Sequence, residues 1–122
     1  MLRGVRGATT AAANTTAAIA DATAELILTM VRANSIDPAD LAAATFAVTP
    51  DLDAAFPAAT ARALGWSTVP LLDYVSPAVD GALPRCIRVL LFWNTPLLQN
   101  QVKHIYLREA VGLRPDLEVV VG

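Results

Sequence analysis

Apolar residues recur along this chain with two different periods, which predict short β-strands and one long helix. Runs typical of strands cover residues 2–7, 45–49, 68–72, 85–93 and 103–108. Between the first two runs, apolar residues three or four positions apart predict a helix that Asn14 or Thr15 caps and that ends near Asn34. The pattern therefore indicates a small α+β domain, with a five-stranded sheet packed on one long helix.

Two shorter helical pieces and an irregular segment complete the predicted elements. Asp37-Pro38 predicts a helix start with a piece extending to Ala43, and Phe56-Pro57 predicts a second short helix closed by Gly65. Residues 73–84 contain several Pro and Gly breakers and are expected to be irregular. Residues 1–122 are expected to form a single domain, with a C-terminal tail from about residue 113.

The strand within residues 85–93 contains the chain's main candidate for chemistry. Val89 to Trp93 is unbroken apolar sequence, of the kind buried on both faces of a sheet, and Arg88 lies at its start. Removing a guanidinium from water costs several kcal/mol unless an anion meets it. That anion is either a carboxylate of the fold or a carboxylate of a ligand, and the pattern does not decide between them.

Composition suggests that this domain associates with further copies of itself. Of the 122 residues, 55% are hydrophobic and the mean hydropathy is +0.49, which is high for so small a domain. One helix cannot cover both faces of a five-stranded sheet. We therefore expect the uncovered face to meet a neighbouring subunit.

Charge and cysteine content exclude several classes of partner and compartment. The net charge of −2 argues against a general nucleic-acid binder, which would be basic. The single Cys86 excludes an internal disulfide and fits a reducing compartment. Neither a secretory signal nor a run long enough to span a bilayer is visible, so we expect a cytoplasmic protein without membrane contact.

Common catalytic constellations are missing from the sequence. One His and one Cys provide no metal-ligand spacing, so no metal is expected. Nucleophilic catalysis by Cys86 would need His104 as its base, yet the apolar neighbours of Cys86 favour a small buried core residue.

What remains is a set of arginines on predicted ordered elements. These are Arg6, Arg62, Arg88 and Arg114, accompanied by the Tyr106 hydroxyl and the Asp73 carboxylate. Such a set would suit a small dicarboxylate, because it would hold the ligand's shape and place positive charge beside a developing negative one. The alternative is that each arginine pairs with an acid of the chain.

Several blocks of sequence resemble one enzyme family in register over nearly the whole chain. They are the segments 3–10, 49–52, 55–58, 66–70, 85–89, 104–107 and 113–117. In combination these blocks resemble the AroH-class (Bacillus-type) chorismate mutases. The resemblance implies a mixed-sheet, pseudo-β-barrel homotrimer with active sites between adjacent subunits, and conversion of chorismate to prephenate without a cofactor.

The resemblance also implies roles for individual residues. Arg88 matches the arginine at the ether oxygen of the breaking bond, while Arg6 and Tyr106 match the pair that grips a substrate carboxylate. An apolar wall is implied for Phe56, Ala58, Leu71 and Leu72. Residues implied at the mouth of the site are Arg62, Leu113 and Arg114.

Two positions depart from the family pattern. The family glutamate that faces the ring hydroxyl is Ser76 here, and Asp73 stands three places earlier where the family often has a small residue. Our hypothesis is that the carboxylate has moved from position 76 to position 73. The family lysine after the 55–58 block is Ala59, which removes one positive charge from the rim.

Two other functions compete with chorismate mutase activity. A Rid-type trimeric enamine/imine deaminase would share a similar chain fold and would also grip carboxylates by arginine. A catalytically weakened protein that only binds a chorismate-like ligand would account for Ser76 and Ala59.

Overall fold

A computed structural model describes residues 1–113 of the chain. Its strands are β1 (Leu2–Thr10), β2 (Leu41–Val48), β3 (Leu71–Val75), β4 (Cys86–Asn94) and β5 (Ile105–Tyr106). Its α-helices are α1 (Thr16–Asn34) and α2 (Pro57–Ala63). Short 3₁₀ turns cover Pro38–Asp40, Gln99–Gln101 and Arg108–Gly112. The predicted α+β class with five strands is confirmed.

The five strands form one mixed sheet in the order β3-β2-β4-β1-β5. β4 lies at the centre and runs antiparallel to both β1 and β2, whereas the outer strands β3 and β5 run parallel to their neighbours. In this register Arg88 of β4 lies opposite Ala8 of β1 and Ala47 of β2. The central arginine is therefore flanked by two methyl side chains.

The long helix begins where the sequence indicates and packs on one face of the sheet. The Thr15 hydroxyl accepts a hydrogen bond from the Ala18 amide at 3.1 Å, which caps the first turn. Ile19, Ala22, Leu26 and Met30 of the predicted apolar stripe are buried, and Ala33 is partly buried. Met30 and Leu26 pack against β1 at Gly7. A Cβ atom at Gly7 would collide with the sulfur of Met30, so this position lets the helix approach the strand closely.

Within residues 1–113 of one chain, only one face of the central strand is covered along its whole length; on the other face Cys86 is buried but the residues after it are not. Ile87, Val89 and Leu91 are buried on the α1 side, whereas Arg88 is exposed and Leu90 is only half-buried on the other. The prediction that β4 is buried on both faces is therefore wrong for one copy of the chain. The helix stands on one side, so the alternating side chains of the other side are left open.

Several element boundaries differ from the predicted ones, and those of β2, β3 and β5 matter most; β1 also extends to Thr10, beyond the predicted residues 2–7. β2 begins at Leu41, so the alanines predicted as the end of a helix lie in a strand paired with β4. β3 begins after Pro70, three residues later than predicted, which places Asp73 in a strand and not in an irregular turn. β5 contains only two residues, because residues 108–112 turn away as a 3₁₀ segment.

No helix within residues 1–113 is long and apolar enough to cross a membrane.

Two buried hydroxyl groups lie in the region of β1 and α1. The side chains of Thr9 and Thr23 are fully buried, and their hydroxyl oxygens have no hydrogen-bond partner among the described residues. Burying a hydroxyl without a partner costs about 1–3 kcal/mol in folded proteins. These two positions are therefore sites of avoidable instability.

We expect Thr23→Val to raise the free energy of unfolding by about 1 kcal/mol, because it replaces an unpaired hydroxyl with a methyl group of similar size. Chemical denaturation measures the change. Thr29→Val is the matched control on the same helix, because the Thr29 hydroxyl donates to the Glu25 carbonyl at 2.7 Å. A Thr23→Val protein no more stable than the Thr29→Val protein would contradict the expectation.

Candidate active site

A cleft of about 290 Å³ opens on the face of the sheet away from α1. It gathers residues from β1, β2, β4 and β5, together with the end of the described chain. Its lining residues are Arg6, Gly7, Ala8, Thr45, Ala47, Arg88, Val89, Leu90, Tyr106 and Leu113. Four residues expected in the site from sequence, Arg6, Arg88, Tyr106 and Leu113, therefore share one cleft.

Arg88 projects into this cleft without an acidic partner from the described chain. The only ion pair within residues 1–113 joins Arg108 to Glu25, with the guanidinium nitrogen Nε 3.1 Å from the carboxylate. Of the two partners left open by the sequence, an acid of the fold is thus not seen for Arg88 in this part of the chain. Its guanidinium faces a space bordered by small side chains.

Arg88 also contacts Cys86, its neighbour on the same face of the strand. Burial raises the pKa of the Cys86 thiol, and hydrogen bonding to Arg88 opposes this rise. A buried thiol with a raised pKa is a poor nucleophile. The geometry agrees with the interpretation of Cys86 as a small core residue.

A hydrogen-bonded network holds the beginning of β4. The Arg85 amide donates to Asp51 Oδ2 at 2.9 Å, and the Cys86 amide donates to Thr49 Oγ1 at 3.0 Å. The Thr49 hydroxyl in turn donates to Asp51, and this bond is the main reason that the pKa of Asp51 is lowered. The strand is therefore anchored two residues before Arg88.

Arg6 and Tyr106 reach the cleft from neighbouring strands. Arg6 is half-buried on β1, and its backbone amide donates to Nδ1 of His104 at 2.9 Å. Tyr106 is buried beside Ala8 and Ala110, with Leu113 packed against the same cluster. A cation and a phenol thus border one side of the cleft, which suits a carboxylate group.

A second depression, of about 430 Å³, lies between the β2–α2 connection and β3. We call it the α2 groove. Its lining residues are Val48, Pro50, Leu52, Asp53, Ala54, Ala55, Phe56, Pro57, Asp73, Tyr74 and Val75. The predicted site residues Phe56 and Asp73 lie here, and none of the lining residues is shared with the cleft.

The four residues of the implied apolar wall differ in their exposure. Leu72 is 58% exposed and Phe56 is 69% exposed, so both offer apolar surface outside their own chain. Leu71 is partly buried and Ala58 fully buried, both against the core. Only the first pair therefore presents its side chains for contact with a ligand or another subunit.

The remaining predicted site residues lie near α2 or beyond the described chain. Arg62 is exposed on α2. Ser76 directly follows β3, and its amide donates to the Val48 carbonyl at 2.8 Å. Arg114 lies outside the described residues.

Asp73 connects β3 to the beginning of α2. Its Oδ1 atom accepts a hydrogen bond from the Ala58 amide at 3.0 Å, which serves an otherwise unpaired N–H of the first helical turn. Burial raises the pKa of Asp73, while the Ala58 amide and the positive charge of Arg62 oppose the rise. The sequence does not reveal this contact, because Asp73 and Ala58 are 15 residues apart.

The described residues contain no group of three or more His, Cys, Asp or Glu side chains placed to hold a metal ion.

Comparisons with known proteins identify close relatives over nearly the full chain. A sequence profile described as chorismate mutase type I matches residues 2–117. The chain is 55% identical over 119 residues to chorismate mutase AroH of Thermus thermophilus, a match that covers 97% of this chain and 98% of that one. It is 40% identical over 120 residues to chorismate mutase AroH of Bacillus subtilis (strain 168), covering 98% and 94%.

A solved structure resembles the fold as well. The chorismate mutase from Clostridium thermocellum superposes with a TM-score of 0.86 at 40% sequence identity. The match covers 88% of this chain and 96% of that one.

Proposed function

This chain belongs to the type I chorismate mutase family, and we propose that Arg6, Arg88 and Tyr106 form the reactive half of its active site. It is an isomerase of aromatic amino acid biosynthesis that converts chorismate to prephenate. Its relatives are chorismate mutases, so the alternative of a Rid-type deaminase is set aside.

The observation that carries the proposal is the exposed guanidinium of Arg88, which has no acidic partner within residues 1–113. The rearrangement is unimolecular and moves no proton to or from the enzyme. Its barrier falls if the substrate is held folded and if the negative charge that develops on the ether oxygen is stabilised. Arg88 supplies donors for that oxygen, while Arg6 and the Tyr106 hydroxyl hold a substrate carboxylate.

A neighbouring subunit supplies the other half of this proposed site. The α2 groove carries Phe56 and Asp73, yet within one chain its lining residues are separate from those of the cleft. Repeated contact between the cleft of one copy and the groove of the next closes into a ring if the rotation allows it. We propose a homotrimer of this kind, in which Phe56 and Leu72 form an apolar wall over the neighbour's cleft.

Asp73 is proposed as the carboxylate that faces the substrate in place of the missing family glutamate. One of its oxygens is fixed by the Ala58 amide, so the group is held in one orientation. No second hydrogen bond to this carboxylate is seen within residues 1–113, and Asp73 lines the α2 groove. Negative charge at this place would stabilise a carbon skeleton that becomes positive as the ether bond breaks.

The C-terminal tail and the compartment complete the proposal. Leu113 lines the cleft, which supports a tail from about residue 113 that lies near the active site, with Arg114 at its mouth. Cytoplasmic location is supported by the single buried Cys86, a usage typical of a reducing compartment.

Replacing Arg88 tests the reactive half of the site. We expect Arg88→Lys to lower kcat by about 100-fold or more, because loss of one well-placed donor costs an oxyanion site that much. The measurement is the decay of chorismate ultraviolet absorbance. Arg32→Lys, at an exposed position on α1, is the control and should leave kcat unchanged. An Arg88→Lys enzyme with native kcat would refute the assignment.

Substitutions that preserve the fold can separate the contributions of Asp73 and Ser76 to catalysis. Asn at position 73 retains an oxygen to accept from the Ala58 amide, so Asp73→Asn removes the charge while leaving the helix contact in place. We expect kcat/KM to fall at least about tenfold for Asp73→Asn, and little for Ser76→Ala. Steady-state kinetics on chorismate measure both effects. Equal small effects would show that the carboxylate has not moved to position 73.

Mixed oligomers test whether two subunits share a site. Arg88→Ala and Asp73→Ala should each be nearly inactive alone. Unfolding and refolding them together should restore activity to about a quarter of the sites, since random mixing gives that fraction an intact cleft beside an intact groove. Absence of restored activity in a properly refolded mixture would mean that Arg88 and Asp73 act within one chain.

A further inference from the structure

Within residues 1–113, the outer edge of β1 is met mainly by side chains and not by a full partner strand. β5 pairs with β1 over only two residues, Ile105 opposite Gly7 and Tyr106 opposite Ala8. Side chains meet the rest of the edge: Gln99 bonds both backbone groups of Gly4, His104 accepts from the Arg6 amide, and Arg108 donates to the Thr10 carbonyl. Each side chain thus replaces one part of a missing strand.

The His104 contact lies at the part of this edge that borders the cleft. Nδ1 of the ring accepts a hydrogen bond from the backbone amide of Arg6, with the two nitrogens 2.9 Å apart. For that nitrogen to accept, it must carry no proton, so the neutral ring holds its own proton on Nε2. The contact therefore fixes both the tautomer of the ring and the backbone of Arg6.

His104 connects two elements that both supply residues to the cleft. It directly precedes β5, which carries Tyr106, while its ring holds β1 at Arg6. The ring is half-buried and is not among the residues that line the cleft. Hydrogen bonds weaken steeply when their geometry is disturbed, so a displaced Arg6 would bind a substrate carboxylate less tightly. A contact at the backbone of Arg6 is well placed to prevent such a displacement.

We propose that His104 is a positioning residue for substrate binding, which holds the Arg6 backbone through Nδ1 so that the Arg6 guanidinium and the Tyr106 hydroxyl keep a common spacing. The inference rests on the proposed role of the cleft. His104 does not touch the substrate in this assignment and takes no part in proton transfer. Its contribution is therefore felt mainly in KM.

Three variants separate this role from general support of the sheet. His104→Asn retains an acceptor oxygen near the place of Nδ1, whereas His104→Leu removes it. Gln99→Leu is the matched control, because it removes two hydrogen bonds from the same edge at Gly4, which does not line the cleft. Each variant is assayed with chorismate at a temperature where denaturation curves show it to be fully folded.

We expect His104→Leu to raise KM at least about tenfold with a smaller change in kcat. His104→Asn should stay close to the native enzyme, and Gln99→Leu should lose stability with unchanged KM and kcat. Turnover of chorismate by the unmodified protein tests the proposed function separately. The positioning role would be overturned if His104→Leu behaved as Gln99→Leu does, or if His104→Asn were as impaired as His104→Leu.

A spectroscopic measurement tests the hydrogen bond from the Arg6 amide to His104 Nδ1 without relying on any variant. The sequence contains one histidine, so the imidazole nitrogens of untagged, uniformly ¹⁵N-labelled protein give signals from His104 alone. We expect an unprotonated Nδ1 at neutral pH and a scalar coupling across the hydrogen bond to the Arg6 amide. A protonated Nδ1 at neutral pH would overturn the proposal whatever the kinetics show.

Discussion

A positive charge on the central strand of the sheet, without an acid of the described chain to meet it, is the constraint around which this structure is organised. Arg88 lies between Ala8 and Ala47, so neighbouring side chains leave space around the guanidinium. The network of Thr49, Asp51 and the Arg85 amide anchors the strand just before it. The rigid sheet thus aims the charge before any ligand arrives, which is what electrostatic catalysis requires.

The same arrangement explains the unusual apolar character of the chain. α1 covers one face of the sheet, and the other face carries the cleft together with partly buried β4 side chains. Phe56 and Leu72 expose apolar surface near the α2 groove. A monomer with such surfaces is incomplete both in its packing and in its proposed active site, so one association would satisfy both requirements.

Periodicity predicted the elements whose signals are local. The Thr15 cap and the stripe from Ile19 to Met30 fixed α1 closely, because the capping hydroxyl and the helical spacing are contained in the sequence itself. The start of β3 was predicted three residues too early because Thr68 and Val69 have strand-like side chains. The paired residues of β3 begin only after Pro70. β5 was predicted too long because, outside its two paired residues, side chains take the place of a partner strand along much of the edge of β1.

Residues of the candidate site were harder to predict because the fold joins distant parts of the chain. No spacing rule brings Arg6 beside Arg88. Elimination of other chemistry left them in one candidate set of arginines, and the family resemblance implied a separate role for each. The Asp73 contact with Ala58 and the His104 contact with Arg6 carry no motif at all, since each depends on how two separate elements pack. Such contacts follow from topology and become visible only in three dimensions.

Closure of the β1 edge by Gln99, His104 and Arg108 has a consequence for unwanted self-association. Where these side chains engage its outward amides and carbonyls, β1 offers no template to an incoming strand, which opposes sheet growth towards fibrils on that side. The opposite border, formed by β3, carries the exposed side chains of Tyr74 and Val75. In a single, unassociated copy of the chain, aggregation would therefore be directed to that border of the sheet.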